Sequence, residues 1–264
     1  MGRLRARLSG KTVLITGASF GIGEETARLA GAAGASLILV ARSADKLEEV
    51  AAGIRGAGGQ AVALTADLTK PEHIEALISR VAEIGPVDIF VSNAGKSIRR
   101  SLFESLDRFH DITRTIGVNF LGPAQLALAL IPGLRERGGQ IISISAANAL
   151  LPSPPLWAAY QASKCAFDQW FRCAGPELRA VGVAATCIYL PLVRTRMIAP
   201  TAHYAEVPAM QPEQAGRLVC AAMIGRWTMW KPWWLGPAEL AAAPFRRPWE
   251  ALAAWQMRRA LSRT

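Results

Sequence analysis

The chain has 264 residues, of which 51% are hydrophobic and 19% are charged, a balance that excludes an intrinsically disordered protein. Its formal net charge of +10 favours anionic partners such as nucleic acid, a phosphorylated cofactor or a lipid surface. The four cysteines form no C-x-x-C pair, which is typical of reduced thiols in a cytoplasmic protein. No secretory signal is expected, and the uncharged apolar run at residues 29–41 is too short to cross a membrane.

Apolar strand candidates alternate with helix candidates over residues 10–225. The strands are predicted at residues 13–16, 36–40, 61–65, 87–92, 140–145 and 183–189. The helices are predicted at residues 22–34, 44–57, 71–84, 108–137 and 158–181. The strands lack polar residues at alternate positions, so we expect them to be buried on both faces. This alternation predicts a doubly wound α/β fold with a parallel sheet.

A glycine-rich turn, TGASFGIG at residues 16–23, follows the first strand and opens the first of these helices. Because glycine has no Cβ, the amides at such a helix N-terminus can approach a pyrophosphate closely. The glycine spacing is G-x-x-x-G-x-G, and an ordinary strand-to-helix turn is the alternative. The position of the turn between strand and helix favours a dinucleotide site.

The end of the second strand indicates which nucleotide is bound. Sites that select NAD place an acidic residue there to bind the ribose hydroxyls. Here the strand ends in Arg42, with no acid in that place, and an arginine can pair with a 2′-phosphate through two hydrogen bonds. The sequence therefore favours NADP(H), the alternative being a solvated surface arginine.

A phenol and an ammonium group lie four residues apart at Tyr160 and Lys164, on one face of a predicted helix. A nearby cation favours the phenolate and is expected to lower the pKa of Tyr160. Such a tyrosine can exchange a proton with an alcohol or a carbonyl while a hydride moves. The pattern is weak alone, because partly buried tyrosines beside solvated lysines are common.

Three further motifs lie between the glycine turn and this pair. They are Asp67 with Leu68 after the third strand, Asn93 with Ala94 and Gly95 after the fourth, and Asn119 in the long helix. In this order the five motifs resemble the short-chain dehydrogenase/reductase superfamily over residues 9–225. The stretches at residues 97–101, 107–111 and 191–201 look like its fatty acyl-CoA reductase branch, which forms long-chain aldehydes, although related branches with other lipid substrates share them.

The resemblance implies a Rossmann fold and a role for each matching residue. The pyrophosphate would lie against Gly17, Ser19, Gly21, Ile22 and Gly23. The rest of the cofactor would contact Arg42 at the 2′-phosphate, Asp67 and Leu68 at the adenine, Asn93, Ala94 and Gly95 at the ribose, and Pro191, Val193 and Thr195 at the nicotinamide. The proton relay would use Tyr160 as donor or acceptor, Lys164 on the nicotinamide ribose, and Asn119 holding a water.

One family residue is missing. The family places a serine at the end of the fifth strand, usually thirteen residues before the tyrosine, and both possible registers give alanine, at Ala146 or Ala147. The nearest hydroxyl is Ser145, which points to the opposite face of a regular strand unless a bulge re-aims it. Other possible donors are Asn148 and Ser153. Ser145 is taken as the fourth catalytic residue, beside Tyr160, Lys164 and Asn119.

Residues 226–264 are predicted to form a separate C-terminal appendage, because they contain six of the eight tryptophans and a strong excess of arginine. It is interpreted as a structural subdomain, an interfacial membrane anchor or an oligomer contact. Nucleic-acid binding is not expected, because no recognition element accompanies the basic residues. The histidines His73, His110 and His203 have no metal-ligand spacing, so no metal is expected. Arg194 and Arg196 are interpreted either as contacts for an anionic substrate group, such as a coenzyme A phosphate, or as solvated side chains.

These features together predict an NADP(H)-dependent oxidoreductase that transfers hydride to or from a carbonyl or alcohol of an apolar, long-chain substrate. Two alternatives stay open. One is a catalytically impaired member that serves as a dinucleotide sensor or scaffold, and the other is a retinoid or steroid alcohol dehydrogenase. A cytoplasmic homo-oligomer is expected, with membrane contact through the C-terminal appendage.

Overall fold

The computed structural model describes residues 1–199, 201, 204 and 206–261. Its centre is a parallel sheet of seven strands in the order β3-β2-β1-β4-β5-β6-β7. The strands are β1 (Thr12–Thr16), β2 (Ser36–Ala41), β3 (Gln60–Thr65), β4 (Ile89–Ser92), β5 (Gln140–Ala146), β6 (Ala184–Leu190) and β7 (Met229–Trp230). The predicted doubly wound fold is confirmed. The strand order reverses between β1 and β4, and ligands of such sheets bind beyond the carboxyl ends of the strands at this point.

Helices cover both faces of the sheet and enclose one apolar core on each side. They are α1 (Gly2–Leu8), α2 (Gly21–Ala32), α3 (Ala44–Gly56), α4 (Pro71–Ile84), α5 (Phe109–Ile116), α6 (Gly122–Glu136), α7 (Ala158–Ala180), α8 (Pro212–Gly225) and α9 (Leu235–Leu261). Helices α1, α2, α3 and α8 contribute to one core, and α4, α6 and α7 to the other. Neighbouring β1 residues alternate between the cores, Val13 and Ile15 facing one and Leu14 the other. The central strands are therefore buried on both faces, as predicted, whereas the edge strand β3 is exposed at Gln60, Val62 and Thr65.

The predicted helix at residues 108–137 is divided by one π-helical segment, Gly117–Leu121, which carries Asn119. Such segments often occur at functional sites. The combined stretch Phe109–Glu136 is the one described helix with the length and hydropathy of a membrane span, which is weak evidence by itself. Its Leu126, Ala127 and Leu134 are fully buried against the sheet, as in a core helix of a globular domain.

Both ends of the sheet domain extend beyond the predicted limits of residues 9–225. Helix α1 precedes this range, and its Leu4 and Leu8 are buried in the core beside α8. Strand β7 lies inside the predicted appendage but pairs with β6, and Leu235 is fully buried. After Leu235 the chain continues along α9, on which Leu240 is largely exposed.

Candidate active site

The glycine turn after β1 requires glycine at three positions. Gly17 and Gly21 have φ angles of +68° and +57°, which side chains rarely adopt. A Cβ on Gly23 would lie 2.3 Å from the carbonyl oxygen of Gly17, a distance that no side chain tolerates. Helix α2 begins at Gly21, and the amides of its first turn have no carbonyl partner within the helix. The turn therefore fits a pyrophosphate.

Asn93 fixes this turn to the end of β4. Its Nδ2 donates to the carbonyl oxygens of Thr16 and Gly17, at 3.0 and 3.1 Å. The hydroxyl oxygen of Thr16 accepts the amides of Asn93 and Ala94, both at 3.1 Å. The Asn93 side chain thus binds the turn itself, and the role of Asn93 and Ala94 beside a ribose stays a prediction.

The loop after β6 lies against the glycine turn. Cγ2 of Thr195 lies 2.9 Å from the position of a Cβ on Gly21, so the loop contacts the glycine turn directly. The Arg196 guanidinium stacks 3.9 Å from the centroid of the Phe20 ring. Arg194 donates to the carbonyl oxygens of Tyr204 and Val207 and so holds the loop in place.

Two further loop positions and Leu68 complete the set expected around the cofactor. Pro191 is half-buried, and Val193 is buried and bridges to Met210. The buried Leu68 packs against the start of α6, where a Cβ on Gly122 would lie 2.5 Å from the Leu68 carbonyl oxygen. Their contacts with a nicotinamide or an adenine stay predictions.

The adenine end of the cleft carries both signs of charge. Arg42 is exposed immediately after β2. Asp67 accepts hydrogen bonds from the amide and hydroxyl of Thr69, at 3.0 and 2.8 Å. Burial raises the pKa of Asp67, but these hydrogen bonds and the charge of Arg42 outweigh it, so the net pKa is lowered. Its amide also donates to Nδ1 of His73 at 3.3 Å, which gives that histidine a structural role.

Asn119 is fixed by three hydrogen bonds at the centre of the site. Its Oδ1 accepts the Lys96 amide, and its Nδ2 donates to the Lys96 carbonyl, both at 2.9 Å. The same Nδ2 donates to the Ser163 hydroxyl at 2.8 Å, and that hydroxyl donates to the Tyr160 carbonyl oxygen at 2.7 Å. Asn119 is therefore bonded to the β4 loop and to the helix that carries Tyr160.

Lys164 reaches the same place from α7. Its Nζ donates to the Ile144 carbonyl oxygen at 3.1 Å and lies 3.5 Å from the position of a Cβ on Gly95. A Cβ there would also lie 3.1 Å from Oδ1 of Asn119. The structure thus brings Gly95, Asn119 and Lys164, which belong to three of the five motifs, together beside the glycine turn.

Burial controls the ionisation of the catalytic pair. It lowers the pKa of Lys164 to about 8, against the opposing effect of Cys187 and Asp168. Burial also raises the pKa of Tyr160 to about 12. The lowering expected from the Tyr160–Lys164 spacing is therefore not found in this structure, because desolvation of the phenol is the largest effect.

The backbone at the position of the missing serine, Ala146, is a regular β-strand. The β5–β6 ladder continues without interruption to the pair Ala146 and Leu190, so no bulge re-aims Ser145. The Ser145 hydroxyl is buried and has no hydrogen-bond partner among the described residues. Ala146 is half-buried at the end of the strand, whereas Ala147 packs in the core. Ala146 is thus the more accessible of the two alanines.

Sequence reasoning missed one polar group of the site, Ser163. It is fully buried and links Asn119 to α7. The position of Ser163, one residue before Lys164, could have indicated this role, because the hydroxyl of a serine in a helix often donates to a carbonyl of the preceding turn. Of the other proposed donors, Ser153 is exposed, and the Asn148 carbonyl accepts from Gln161 at 2.6 Å.

The described residues contain no cluster of histidine, cysteine and acidic side chains that could hold a metal. His110 lies 3.5 Å from Asp111, which gives it a neighbouring carboxylate rather than a metal ligand set. One residue considered in the sequence analysis, His203, lies outside the described residues.

Comparison with known proteins agrees with this geometry. A fatty acyl-CoA reductase of Acinetobacter baylyi is 45% identical over 224 residues, which cover 84% of this chain and 76% of that protein. A fatty acyl-CoA reductase of Mycobacterium tuberculosis is 43% identical over 217 residues, covering 81% and 74%. A short-chain dehydrogenase from Sphingobium yanoikuyae in complex with NADPH superposes with a TM-score of 0.78 at 26% identity, covering 94% of each chain.

A second solved structure, a short-chain dehydrogenase from Burkholderia cenocepacia in complex with NADP, has a TM-score of 0.75 and 30% identity, covering 83% of this chain and 94% of that one. The family model for short chain dehydrogenases matches residues 11–205, which include the glycine turn, Asn119, Tyr160 and Lys164. The chain therefore belongs to the short-chain dehydrogenase family.

Proposed function

We propose that the protein is an NADP(H)-dependent oxidoreductase that reduces a long-chain acyl thioester to an aldehyde. The observation that carries this proposal is the convergence of Asn119 and Lys164 on Gly95, beside the glycine turn. Relatives named fatty acyl-CoA reductase supply the substrate class.

The cofactor preference rests on charge. Arg42 lies exposed at the end of β2 and pairs with a 2′-phosphate in the proposed complex. Gly17, Gly21 and Gly23 let the backbone of the turn pack closely against its neighbours at the start of α2, where the amides would hold the pyrophosphate. When bound, NADPH supplies the hydride that is delivered to the carbonyl carbon of the substrate. Solved relatives of this family are complexes with NADP and NADPH, which supports the same cofactor here.

Tyr160 acts as the proton donor. A pKa of about 12 keeps the phenol protonated at neutral pH, so it can give its proton to the carbonyl oxygen as the carbon accepts hydride. Lys164, with a pKa of about 8, is mostly charged at neutral pH and stabilises the negative charge left on the phenol. With a thioester, the Tyr160 phenolate then takes the hydroxyl proton of the resulting hemithioacetal as the C–S bond breaks. The aldehyde leaves, and the departing thiolate takes a proton from solvent.

Ser145 can donate to the reacting oxygen only if the end of β5 rearranges, because the regular β5–β6 ladder leaves its side chain on the strand face opposite that of Ala146. The Ser145 hydroxyl has no partner among the residues described, and a buried unpaired hydroxyl costs about 1–3 kcal/mol. A substrate oxygen that reaches it would remove this cost. The proposal requires local rearrangement, because the hydroxyl has no contact with solvent.

The test is NADPH oxidation measured with long-chain acyl-CoAs, long-chain aldehydes, retinal and steroid ketones, with the products identified by mass spectrometry. We expect acyl-CoA to yield aldehyde, free coenzyme A and NADP. Tight NADPH binding without turnover of any substrate would instead support the sensor or scaffold. Turnover confined to retinal or to steroid ketones would support the alcohol dehydrogenase.

A membrane contact through α9 is a second proposal. Trp249 and Trp255 are partly exposed on this helix, and Phe245 is largely exposed. Arg246 and Arg258 accompany them, and aromatic with basic side chains suit the headgroup region. Sedimentation with phosphatidylserine vesicles tests this, and binding should disappear when α9 is removed. If α9 mediates homo-oligomers instead, its removal should reduce the size of the oligomer in size-exclusion chromatography. The fraction of protein that sediments with vesicles should then stay the same.

A further inference from the structure

A cavity of about 330 Å³ opens beside the proposed active site. We call it the basic pocket. Five of its described lining residues are cationic and one is acidic. The cations are Lys96, Arg99, Arg100, Arg108 and Arg114, and the acid is Asp111. Such an excess of one sign in a concave surface attracts an anionic ligand.

The single carboxylate neutralises only part of this charge. Asp111 is buried and pairs with both Arg100 and Arg108. Arg99 and Arg114 have no acidic partner within ion-pair distance among the described residues. The pKa of Lys96 is lowered by burial and then by the charges of Arg114 and Arg42. Three cations therefore remain to be balanced by a ligand or by solvent.

The basic pocket adjoins the catalytic residues. The amide and carbonyl of Lys96 are both bonded to the Asn119 side chain, so one wall of the pocket is the loop that fixes Asn119. On another wall, the Arg99 guanidinium lies 5.2 Å from the centroid of the Trp157 ring, immediately before α7. The Tyr204 ring lies 6.0 Å from that of Trp157. A cation above an aromatic surface suits a ligand that combines phosphate with a flat base.

We infer that the basic pocket binds the 3′-phosphorylated adenosine diphosphate end of coenzyme A and so positions the thioester at Tyr160. This inference rests on the proposed reduction of an acyl thioester. The pocket has the volume of a small-molecule site. An acidic carrier protein would need a contact of about 800 Å² on each partner. The cations that carry the inference are Arg99 and Arg114, since Arg100 and Arg108 are engaged by Asp111.

The experiment compares two thioesters of one fatty acid, acyl-CoA and S-acyl-pantetheine, which share the reacting group but differ in the phosphorylated nucleotide. The double variant Arg99→Gln/Arg114→Gln should raise the KM for acyl-CoA by about tenfold or more, the effect of losing charged hydrogen bonds. The KM for S-acyl-pantetheine and the Kd for NADPH should not change. Arg135→Gln removes an exposed arginine near the end of α6 and serves as the matched control.

Four outcomes would overturn the inference. The first is that the parent protein has equal KM values for the two thioesters, and the second is that variant and parent have the same KM for acyl-CoA. The third is that the variant binds NADPH more weakly but acyl-CoA normally. The fourth is that the variant raises the KM only for an acyl-carrier-protein thioester. Calorimetric titration of the NADP complex with free coenzyme A tests the pocket without turnover. If neither thioester is reduced, the proposed function fails, while loss of coenzyme A binding in the variant still supports the pocket. If both are reduced but coenzyme A does not bind, the pocket inference fails alone.

Discussion

Replacing Lys164 by methionine should stabilise the protein while removing its activity. The pKa of Lys164 is about 8 instead of the ordinary 10.5, and one pKa unit corresponds to about 1.36 kcal/mol. Protonating this buried ammonium therefore costs about 3 kcal/mol of folding free energy at neutral pH. Methionine has a similar length and no charge. The neighbouring Asp168 retains other polar neighbours, Cys187 at 3.3 Å and Arg172 at 3.9 Å.

The pH dependence of this effect has a definite sign. Between about pH 8 and pH 10.5 the unfolded chain holds a proton on Lys164 that the folded chain has lost, so the stability of the parent rises with pH. The methionine variant lacks this contribution. Its advantage over the parent should be largest near pH 7 and should shrink by about 2–3 kcal/mol by pH 10.

Urea unfolding, followed by the fluorescence of the eight tryptophans, measures both proteins across this range. The two must have the same dependence on urea concentration for their free energies to be compared. Lys70→Met is the matched control, because Lys70 is exposed and its ammonium is already in water. A stability difference between Lys164→Met and the parent that stays constant from pH 7 to pH 10 would refute a lowered pKa for Lys164.

Three shorter predictions concern the cofactor and the proton. Arg42→Asp should erase the preference for NADPH over NADH, about a 10–100-fold change in the ratio of their Kd values; equal Kd values in the parent would contradict it. Gly23→Ala should lower the free energy of unfolding by about 1–3 kcal/mol, because its Cβ collides with the Gly17 carbonyl, and the cost should appear as a lower Tm of the ligand-free protein. Tyr160→Phe should slow hydride transfer at least about 100-fold with unchanged NADPH binding, and near-parent turnover would remove Tyr160 from the mechanism.

The central fold was predictable because its strands are apolar throughout and separated by helices with clear starts. The predicted helix 71–84, with Pro71 at its first position, agrees with α4 to the residue. The two ends of the domain were not predictable in this way. Helix α1 has only two buried residues, Leu4 and Leu8, and β7 has only two residues in all. Elements this short carry no periodicity, and tertiary pairing decides them.

The candidate site also has some features that the sequence predicted and others that it did not. The family resemblance assigned Asn119 and Lys164 to one site, and the structure places both beside Gly95, although Asn119 lies in the π-helical segment and Lys164 on α7. The pKa of Tyr160 was not predictable, since it depends on how deeply the fold buries the phenol. The basic pocket was also invisible in the sequence, because Lys96, Arg99 and Arg114 come from a loop and a helix that only the fold brings together.

The remaining prediction concerns the serine that is missing from the family pattern. Losing a donor to the reacting oxygen typically costs about 2.7–4 kcal/mol of transition-state stabilisation, or about 100–1000-fold in kcat. If Ser145 supplies this donor, Ser145→Ala should lower kcat by such a factor and leave the Kd of NADPH unchanged. Ser143→Ala controls for loss of a buried hydroxyl, since the Ser143 hydroxyl is also buried without a partner among the described residues and lies earlier on the same strand.

The reciprocal variant is Ala146→Ser, at the half-buried end of β5. If Ser145 is the donor, a second hydroxyl adds little. The kcat of Ala146→Ser should then stay within about twofold of the parent value, well below the 10²-fold effect of one donor. If kcat instead rises by about 100-fold while Ser145→Ala has no effect, the parent works without a donor, and Ser145 has no catalytic role. Because the β5–β6 ladder is regular through Ala146, either substitution can be made without changing the strand register. The sign of the change in kcat therefore reports on the hydroxyl and not on the fold.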